Sequence, residues 1–544
     1  MPRLRTPGPV APRGVGMLIA ACVMMWRADA MAQTALPVIA GSLAATPESN
    51  LKKSPPYQKF ERLGPTAQLG PPPNFQPPAV TGAGDTGFDS SNSRKAKGKQ
   101  QPKAKSSTKR AIVPVASAPV AVSPYQRALS NSAKAAFASG QPGQPPVAFG
   151  PIYTVRKKRK AASEADPYAA LGGRSGGLLF YPAIELIGGH DSNPTRGSGG
   201  AGAGIYTVAP ELRVQSDWLR HELKADLRGS YNYYRPDSIP TLSRPYFNGK
   251  VDGRVDVTRN TRIDLGARML VSTDNPGSPN LQAGLSKLPI YTTFGGTGGI
   301  AHRFNRLEIG VKADIARTVY RNSSLIDGTT ASNEDRNYNQ YGGTVRAGYE
   351  LSPGFMPYVE AGADTRRHDL ATDFSGYQRN SRGFTAKLGS TVELSRLLTG
   401  EVAVGYVKRS YEDPRLDPLK GLVGNAALVW SATTLTTVKF SAQSTVGEST
   451  VAGVSGVLYR DAGVQLDHSL RRWLIGSLKA GVGFDDYVGS PRSDKRYYLG
   501  AGLAYKLNRS VQIKGEVRRD WLRSNETAND YTANVFLLGL RLQY

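Results

Sequence analysis

The 544-residue chain contains 60 glycines and 26 tyrosines, and its mean hydropathy of -0.37 excludes a helical membrane protein. A formal net charge of +26 would suggest nucleic-acid binding in a cytosolic protein, but half of this excess lies in residues 33–170. We therefore expect no nucleic-acid partner. The only cysteine, Cys22, lies in the N-terminal segment, so we expect neither disulfides nor Cys-ligated metals in the rest of the chain.

Residues 1–32 have the pattern of an export signal peptide. A basic start is followed by an apolar stretch, Val15–Trp26, and by small residues at 30 and 32 that would suit cleavage before Gln33. Residues 28–30 offer a competing cleavage site, and residues 19–22 loosely resemble a lipoprotein box. The apolar stretch is too short to span a bilayer stably.

Residues 33–170 are predicted to be a disordered periplasmic linker. This stretch is rich in Pro, Ala, Ser, Gln and Lys, with basic runs at 94–110 and 156–160. Such a composition cannot bury enough apolar surface to offset the entropy of ordering. The basic runs could attract an anionic polysaccharide or lipid headgroups, or could simply be solvated.

Residues 171–544 follow a period of two, which predicts β-strands. From Glu222 to Tyr233, even positions are charged or polar, whereas odd positions are apolar, aromatic or glycine. This alternation suits a strand with lipid on one face and water on the other. The charged, even-numbered positions are therefore predicted to face a lumen. The predicted lumenal charges are Arg220, Glu222, Lys224, Asp226, Arg228, Arg254, Asp256, Arg262, Asp264, Arg268, Glu308, Lys312, Asp314, Lys514, Glu516, Arg518 and Arg541.

The connections predict the topology. Short turns fall near 216–219, 259–261, 305, 352–354, 395–399, 433, 471 and 508, and they alternate with nine longer polar stretches. This pattern predicts an all-β, transmembrane, antiparallel up-and-down barrel of sixteen to eighteen strands, with eighteen favoured and both termini in the periplasm. A propeller or a sandwich would need neither this alternation of connection lengths nor a charged interior.

The C-terminal stretch Tyr531–Tyr544 carries apolar residues at every second position and ends on an aromatic residue. It resembles the closing strand of bacterial outer-membrane barrels, which the barrel assembly machinery reads during insertion into lipid. The expected insertion signal comprises Phe536, Leu538, Leu540, Leu542 and Tyr544. An edge strand of a soluble sandwich is the alternative.

Aromatic residues lie mainly toward the predicted strand ends, where they would form the two interfacial girdles of a barrel. Those of lumenal parity could instead stack on sugars. The expected girdle residues are Tyr231, Tyr233, Tyr234, Tyr246, Tyr291, Phe294, Tyr320, Tyr406, Tyr411, Phe440, Trp473, Tyr497, Tyr505, Trp521 and Phe536.

No motif predicts catalysis, a cofactor or a metal. The five histidines are scattered without metal-ligand spacing, and Gly295–Gly299 lacks the helix that follows a phosphate-binding loop. The pair His368-Asp369 at the start of a predicted outer loop is a candidate rim site of the outer-membrane protease type, but the barrels of those enzymes are smaller. The expectation is a protein that is not an enzyme.

A family resemblance begins at residues 183–193 (AIELIGGHDSN), which are similar to the first strand of the putative beta-barrel porin-2 family. Residues 208–212 and 217–234 resemble the second and third strands of that family. His190 stands where an aromatic residue is usual. The resemblance implies an outer-membrane barrel of the exopolysaccharide-associated type, and it implies no catalytic residues.

Three functions remain open at this point. The first is a channel that assists exopolysaccharide or capsule export, with periplasmic export components or the anionic polymer as partners. The second is a general diffusion porin, which would carry a constricting loop folded inside the barrel. The third is a structural or adhesive outer-membrane protein with a closed lumen. A positive excess among the lumenal charges would favour anionic solutes, unless these charges pair across strands and rigidify the wall.

Overall fold

The computed structural model describes residues 168–237, 240–394, 398–526 and 529–544. The predicted signal peptide and almost all of the predicted linker lie outside these residues. Nearly all of the described chain is strand or strand connection, and a single 3-10 turn, Glu334–Arg336, is present within it. No helix in this part of the chain is long and apolar enough to cross a bilayer, a finding that concerns helical spans alone.

Eighteen long strands make up the main sheet of the described residues. In chain order they are β1 (Leu178–Asp191), β2 (Ala203–Ser216), β3 (Glu222–Arg235), β4 (Arg244–Asp256), β5 (Thr261–Thr273), β6 (Ile290–Phe304), β7 (Leu307–Tyr320), β8 (Tyr338–Tyr349), β9 (Phe355–His368), β10 (Ser381–Leu394), β11 (Leu398–Tyr411), β12 (Leu419–Trp430), β13 (Thr436–Gly447), β14 (Gly456–Arg471), β15 (Leu474–Val488), β16 (Ser493–Lys506), β17 (Val511–Ser524) and β18 (Tyr531–Gln543). A short strand, Gly173–Ser175, extends the sheet beside β1, and Ser323–Ser324 pairs with Thr330–Ala331 in a separate ribbon.

The sheet closes on itself. Each long strand pairs antiparallel with the next in sequence, and β1 pairs with β18 from Ala183↔Gln543 to Asp191↔Val535. The predicted up-and-down barrel and its favoured count of eighteen strands are therefore confirmed. A propeller or a sandwich would not join its first and last strands into one ring.

Longer and shorter connections alternate around most of the ring, but the connection 489–492 has only four residues, fewer than the five of 217–221, 350–354 and 431–435. The nine connections at the first end are L1 (192–202), L2 (236–243), L3 (274–289), L4 (321–337), L5 (369–380), L6 (412–418), L7 (448–455), L8 (489–492) and L9 (525–530). This end is called here the long-loop end, and the eight other connections lie at the short-turn end. The chain enters and leaves the barrel at the short-turn end.

The period-two pattern sorts side chains between the two faces of the wall. On β18, Phe536, Leu538 and Leu540 are exposed on the outer face, whereas Val535 and Arg541 are buried on the inner face. Successive side chains of a strand point to opposite faces, so this assignment holds along the whole strand. The residues of the expected insertion signal all lie on the outer face.

One stretch of the wall departs from full pairing. Strands β12 and β13 pair only from Asn425↔Gln443 to Trp430↔Val438, so the long-loop half of β12 lacks this neighbour. There Leu458 of β14 packs against Leu419 and Val423 on the inner face of β12. The Arg460 Nε donates a hydrogen bond to the carbonyl of Leu422 at 3.2 Å and so satisfies an edge group.

The aromatic girdles are only partly as expected. Phe294 and Tyr406 are exposed on the outer face, but Tyr234, Tyr291 and Tyr320 are buried on the inner face near the long-loop end. Tyr246 and Tyr411 also occupy inner-face positions of their strands. The distance of a residue from the strand end determines its height in the wall. Whether its side chain faces lipid or the lumen depends only on whether its position in the strand is odd or even.

We predict that Leu538→Arg lowers the free energy of unfolding by about 2 to 4 kcal/mol in a bilayer, because Leu538 lies near the middle of β18 on the outer face. Thr532→Arg, on the same face near the long-loop end, should cost at most about 1 kcal/mol. Reversible unfolding in lipid vesicles measures both values. Equal costs for the two variants would contradict this placement of the apolar band.

Candidate functional site: the charged lumen and the long-loop mouth

The predicted charges of β3 to β5 form a ladder of ion pairs on the inner wall. Residues two apart on a strand share a face, and the sequence places opposite charges at this spacing. The N–O distances within strands are 2.5 Å for Lys224–Glu222, 2.7 Å for Arg228–Asp226, 3.1 Å for Arg254–Asp256 and 2.9 Å for Arg262–Asp264. Between strands, Arg254 approaches Glu222 at 3.6 Å, and Arg262 approaches Glu308 at 3.3 Å.

Part of this ladder remains in contact with solvent. The side chains of Glu222, Lys224 and Asp226 are each about 30% exposed (31%, 32% and 30%), and Asp252 on β4 is 50% exposed. Solvent-screened pairs of this kind contribute only about 0 to 1 kcal/mol each to stability. Their main effect is to line the lumen with both signs of charge at fixed positions.

A second group of charges crosses the closing seam between β1 and β18 and is almost fully buried. Lys514 on β17 contacts Glu185 on β1 at 3.1 Å. Arg541 on β18 contacts Glu211 on β2 at 2.8 Å and Glu185 at 3.8 Å. Each of these four side chains is 4% exposed or less. The network therefore links four consecutive strands of the ring across the junction of its two ends.

The remaining predicted charges lie as follows. Arg518 contacts Asp520 at 2.9 Å and Glu516 at 3.9 Å, and Glu516 also accepts a hydrogen bond from Lys479. Arg268, Lys312 and Asp314 share the inner parity of β5 and β7. Arg220 lies in the exposed short turn before β3. It is not part of the strand, so its prediction as a lumenal strand residue is wrong.

Sequence reasoning missed several acidic partners of these cations. Glu185 and Glu211 occupy inner-face positions in mainly apolar segments. No run of alternating charged residues surrounds them in the sequence, so the charge pattern did not identify them. Asp467, which Lys439 contacts at 3.0 Å, and Glu401, which Arg346 contacts at 3.1 Å, were missed for the same reason. Applying inner parity to every acidic residue of each strand would have found all four. With these partners included, charges of both signs alternate along the inner wall.

Loop L3 leaves its own strands and crosses the long-loop mouth. Its Leu288 packs with Leu242 of L2 and with Ile205 and Tyr234 of β2 and β3, and Leu281 packs against the same cluster. The backbone of L3 is also bonded to its neighbours, since the Thr241 N–H donates to the Ser286 carbonyl at 2.9 Å. This apolar anchor holds L3 against the wall on one side of the mouth.

The far tip of L3 contacts L7. The Asn280 side-chain oxygen accepts hydrogen bonds from the Thr450 N–H at 3.0 Å and from the Ser449 hydroxyl at 3.3 Å. The strands that flank L3, β5 and β6, lie nearly opposite those that flank L7, β13 and β14, in the ring of eighteen. The L3–L7 contact therefore spans the mouth.

Charged side chains of L4, L5 and β9 hold the loops around this contact. Arg336 of L4 contacts Asp274 of L3 at 2.7 Å, with its guanidinium 3.8 Å from the centre of the Tyr320 ring. Arg379 of L5 contacts Asp373 and donates hydrogen bonds to the carbonyls of Val454 and Val451. Arg366 of β9 pairs with Glu448 of L7.

The surroundings of Glu448 and Arg336 favour the ionised forms of these two side chains. Burial acts to raise the pKa of Glu448, but the Arg366 guanidinium and other nearby cations outweigh it and hold this pKa below its usual range. Burial acts to lower the pKa of Arg336, but Asp274 more than compensates and raises it. A depressed carboxylate pKa means that the Glu448 contribution is present above the ordinary Glu pKa and is lost only in stronger acid. The mouth contacts should therefore persist at neutral pH.

A small cavity lies between the mouth loops. It measures about 80 Å³ and is lined by L3, L4, L5 and L7 and by the ends of their strands. Ligand pockets commonly measure about 300 to 1,000 Å³, so this cavity suits a few water molecules. Thr273 Oγ1, His368 Nδ1 and Glu448 Oε2 are buried around it without a hydrogen-bond partner among the described residues, and such waters could satisfy them.

A family model described as Putative beta-barrel porin 2 matches residues 166–544, which include the whole barrel. The chain belongs to this family. This porin is thus an outer-membrane β-barrel, and the expected family membership is confirmed. No match was found among curated proteins.

Several solved structures are similar to this porin in fold. Pseudomonas aeruginosa OccK9 (OpdG) is 14% identical, and the match covers 68% of this chain and 98% of that one with a TM-score of 0.35. A BenF-like porin from Pseudomonas fluorescens is 12% identical, with 68% and 99% covered and a TM-score of 0.35. The siderophore receptor PiuA from Acinetobacter baumannii is 10% identical, with 69% and 82% covered and a TM-score of 0.37.

No group of three or more His, Cys, Asp or Glu side chains in the described part of the porin could hold a metal ion. His368 and Asp369, the candidate catalytic pair, contact different neighbours. Tyr338 packs beside the His368 ring, with the ring centroids 5.4 Å apart. The Asp369 carboxylate accepts one hydrogen bond from each of the two terminal guanidinium nitrogens of Arg317.

We predict that Glu185→Gln destabilises the porin by about 3 kcal/mol, because the buried Lys514 would lose the carboxylate at 3.1 Å, whereas Arg541 would keep Glu211 at 2.8 Å. Glu222→Gln, which removes the same charge from the solvent-exposed ladder, should cost less than about 1 kcal/mol. Urea unfolding, followed by the gel-mobility difference between folded and heat-denatured protein, measures the free energy of unfolding of both variants. A cost for Glu185→Gln no larger than that of Glu222→Gln would show that the seam network is not a stabilising element.

Proposed function

We propose that this porin is a gated outer-membrane channel for a hydrophilic solute, and that the L3–L7 contact is its closed gate. The observation that carries the proposal is the hydrogen bonding of Asn280 to Ser449 and Thr450 across the mouth, above a wall lined with charges. Eighteen-stranded barrels are wide enough for an aqueous channel unless something fills them. In this proposal the L3–L7 contact closes the mouth, and transport requires these loops to separate.

The proposed solute is an exopolysaccharide or capsule chain, whose export the porin would assist. Ion-paired walls support passage of a hydroxyl-rich polymer, because they offer donors and acceptors at regular spacing without a large excess of one charge. The family resemblance implies the same role. The basic runs of residues 33–170 would then contact the anionic polymer or periplasmic export components.

A general diffusion porin is the second candidate, and L3 favours it. Such a porin requires a constricting loop folded inside the barrel, and L3, which crosses the mouth, would supply it by folding inward. In that case the solute would be small, and residues 33–170 would have no part in gating. A structural protein with a permanently closed lumen would retain the same contacts without ever opening.

In the proposed orientation the long loops face the cell exterior and both termini lie in the periplasm. Short connections belong to the periplasmic side in barrels of this class. The exposed apolar parity of β18 supports recognition by the barrel assembly machinery during insertion. We propose no catalytic role and no cofactor.

We predict that joining L3 to L7 holds the channel closed. In the variant Asn280→Cys/Thr450→Cys, a short thiol cross-linker should abolish conductance in a planar bilayer, and a cleavable linker should restore it on reduction. Asn280→Ala should raise the open probability, because its side-chain oxygen accepts three hydrogen bonds from Ser449 and Thr450 of L7. Asn280→Cys alone, treated identically, is the control.

The same recordings on the chain with and without residues 33–170 separate the candidate functions. Conductance that appears only after their removal would support a partner-gated export channel. Steady conductance in both forms, unaffected by cross-linking, would contradict the gate and favour a diffusion porin. Silence in every form, Asn280→Ala included, would favour the structural protein.

A further inference from the structure

A basic surface lies on the outer face of the barrel, at the long-loop end of β10 to β12. Lys408 of β11 and Lys420 of β12 occupy directly opposed positions in the register of these strands, and both are exposed. Arg382 of β10 lies one diagonal step away, because its neighbour Phe384 is the register partner of Lys408. We call Arg382, Lys408 and Lys420 the outer basic surface.

The lysine pair is unfavourable without an additional partner. Opposed residues of neighbouring strands have Cβ atoms about 5 Å apart, and like charges in such a pair destabilise the sheet. Within the described residues, no salt bridge is found for Lys408, Lys420 or Arg382. The arrangement therefore leaves a concentrated positive charge on the wall that faces lipid.

The neighbouring carboxylates mostly have other partners. Glu412 pairs with Arg367 and accepts a hydrogen bond from Asn380 at 2.9 Å. These contacts and the charge of nearby Arg382 hold the pKa of Glu412 below its usual range, despite partial burial. Asp413 pairs with Arg415 at 2.7 Å, which leaves Asp417 as the remaining acidic residue of L6. The outer basic surface consequently keeps an excess of positive charge.

An apolar surface begins directly below the lysine pair. Tyr406 and Leu422, the next opposed pair on the same face, are 46% and 66% exposed, and Leu388 of β10 is 64% exposed. Trp430 marks the other end of β12, about ten residues from Lys420. Ten residues at about 3.3 Å each on a strand tilted by about 40° span roughly 25 Å of height, which equals the apolar band of an outer-membrane barrel. The lysines thus lie at headgroup level, with acyl-chain level immediately below.

We propose that the outer basic surface binds the phosphorylated headgroup of an outer-leaflet lipid, whose acyl chains lie along the apolar surface below it. Charge complementarity and the position of the basic surface at the upper edge of the apolar band support this occupant over a free anion. The partial gap between β12 and β13 adjoins the surface, with Arg460 spanning it. The leaflet follows from the orientation proposed above, whereas lipid binding itself does not require that the channel conducts.

Native mass spectrometry of the detergent-refolded full chain tests the proposal, with diphosphoryl lipid A as the probe. The wild-type chain should retain the lipid, whereas Lys408→Gln/Lys420→Gln should bind it on the order of tenfold or more weakly. Lipid A with both phosphates removed should bind the wild type as weakly. The control variant Lys495→Gln/Arg519→Gln removes two exposed outer-face charges from β16 and β17 and should bind like the wild type.

A second variant separates binding from folding. Lys408→Glu turns the like-charged pair into an opposed ion pair, so it should retain or raise the unfolding temperature while losing lipid A. Equal loss of binding in the β16–β17 control would overturn the proposal in favour of nonspecific attraction. Undiminished binding by Lys408→Gln/Lys420→Gln would overturn it directly. Competition by millimolar inorganic phosphate would indicate a simple anion site, and preferential binding of an acidic polysaccharide would indicate a surface for the exported polymer.

Discussion

The pairing of β1 with β18 is the constraint on which the rest of the structure depends. In a bilayer every backbone N–H and C=O of the wall needs a partner within the protein, and only a closed sheet leaves no edge in lipid. Nine paired positions join residues 183–191 to 535–543, so closure brings the two ends of the barrel sequence together. Once the ring is closed, the parity of each strand is fixed, and every second residue must suit either lipid or lumen.

This constraint explains why the seam carries the most buried charges of the predicted set. Glu185 and Arg541 come from opposite ends of the barrel sequence, and their contact exists only in the closed ring. The network adds side-chain interactions between β1 and β18, which no short connection joins. A buried network of this kind adds little net stability compared with apolar side chains at the same positions. A strand register that removed one partner would leave a buried charge without its counter-charge, which is energetically costly. We infer that it helps to select the register of closure.

The same constraint decides how far the fold could be predicted from the sequence. The strand count follows from a period-two pattern that each strand carries locally, and it is confirmed; the strict alternation of connection length is wrong at L8, which has only four residues. Tyr234 was assigned to the outer girdle beside Tyr233 because position along the strand was weighed above parity. The path of L3 could not be predicted, because Asn280 and Thr450 meet only through the curvature of a ring of eighteen strands. Loops carry no periodic signal that would indicate such contacts.

The charge pattern has different consequences for the two faces of the wall. Inside, opposite charges stand two residues apart or on adjacent strands, so a water-filled lumen can be lined with charge at little electrostatic cost. Outside, the same spacing would place charges in lipid, and the outer-face charges of the described strands lie in their long-loop halves. Lys408 and Lys420 stand at the last outer-face positions before the apolar surface begins. A like-charged pair is retained most readily there, because anionic headgroups can supply the missing partner without any change to the lumen.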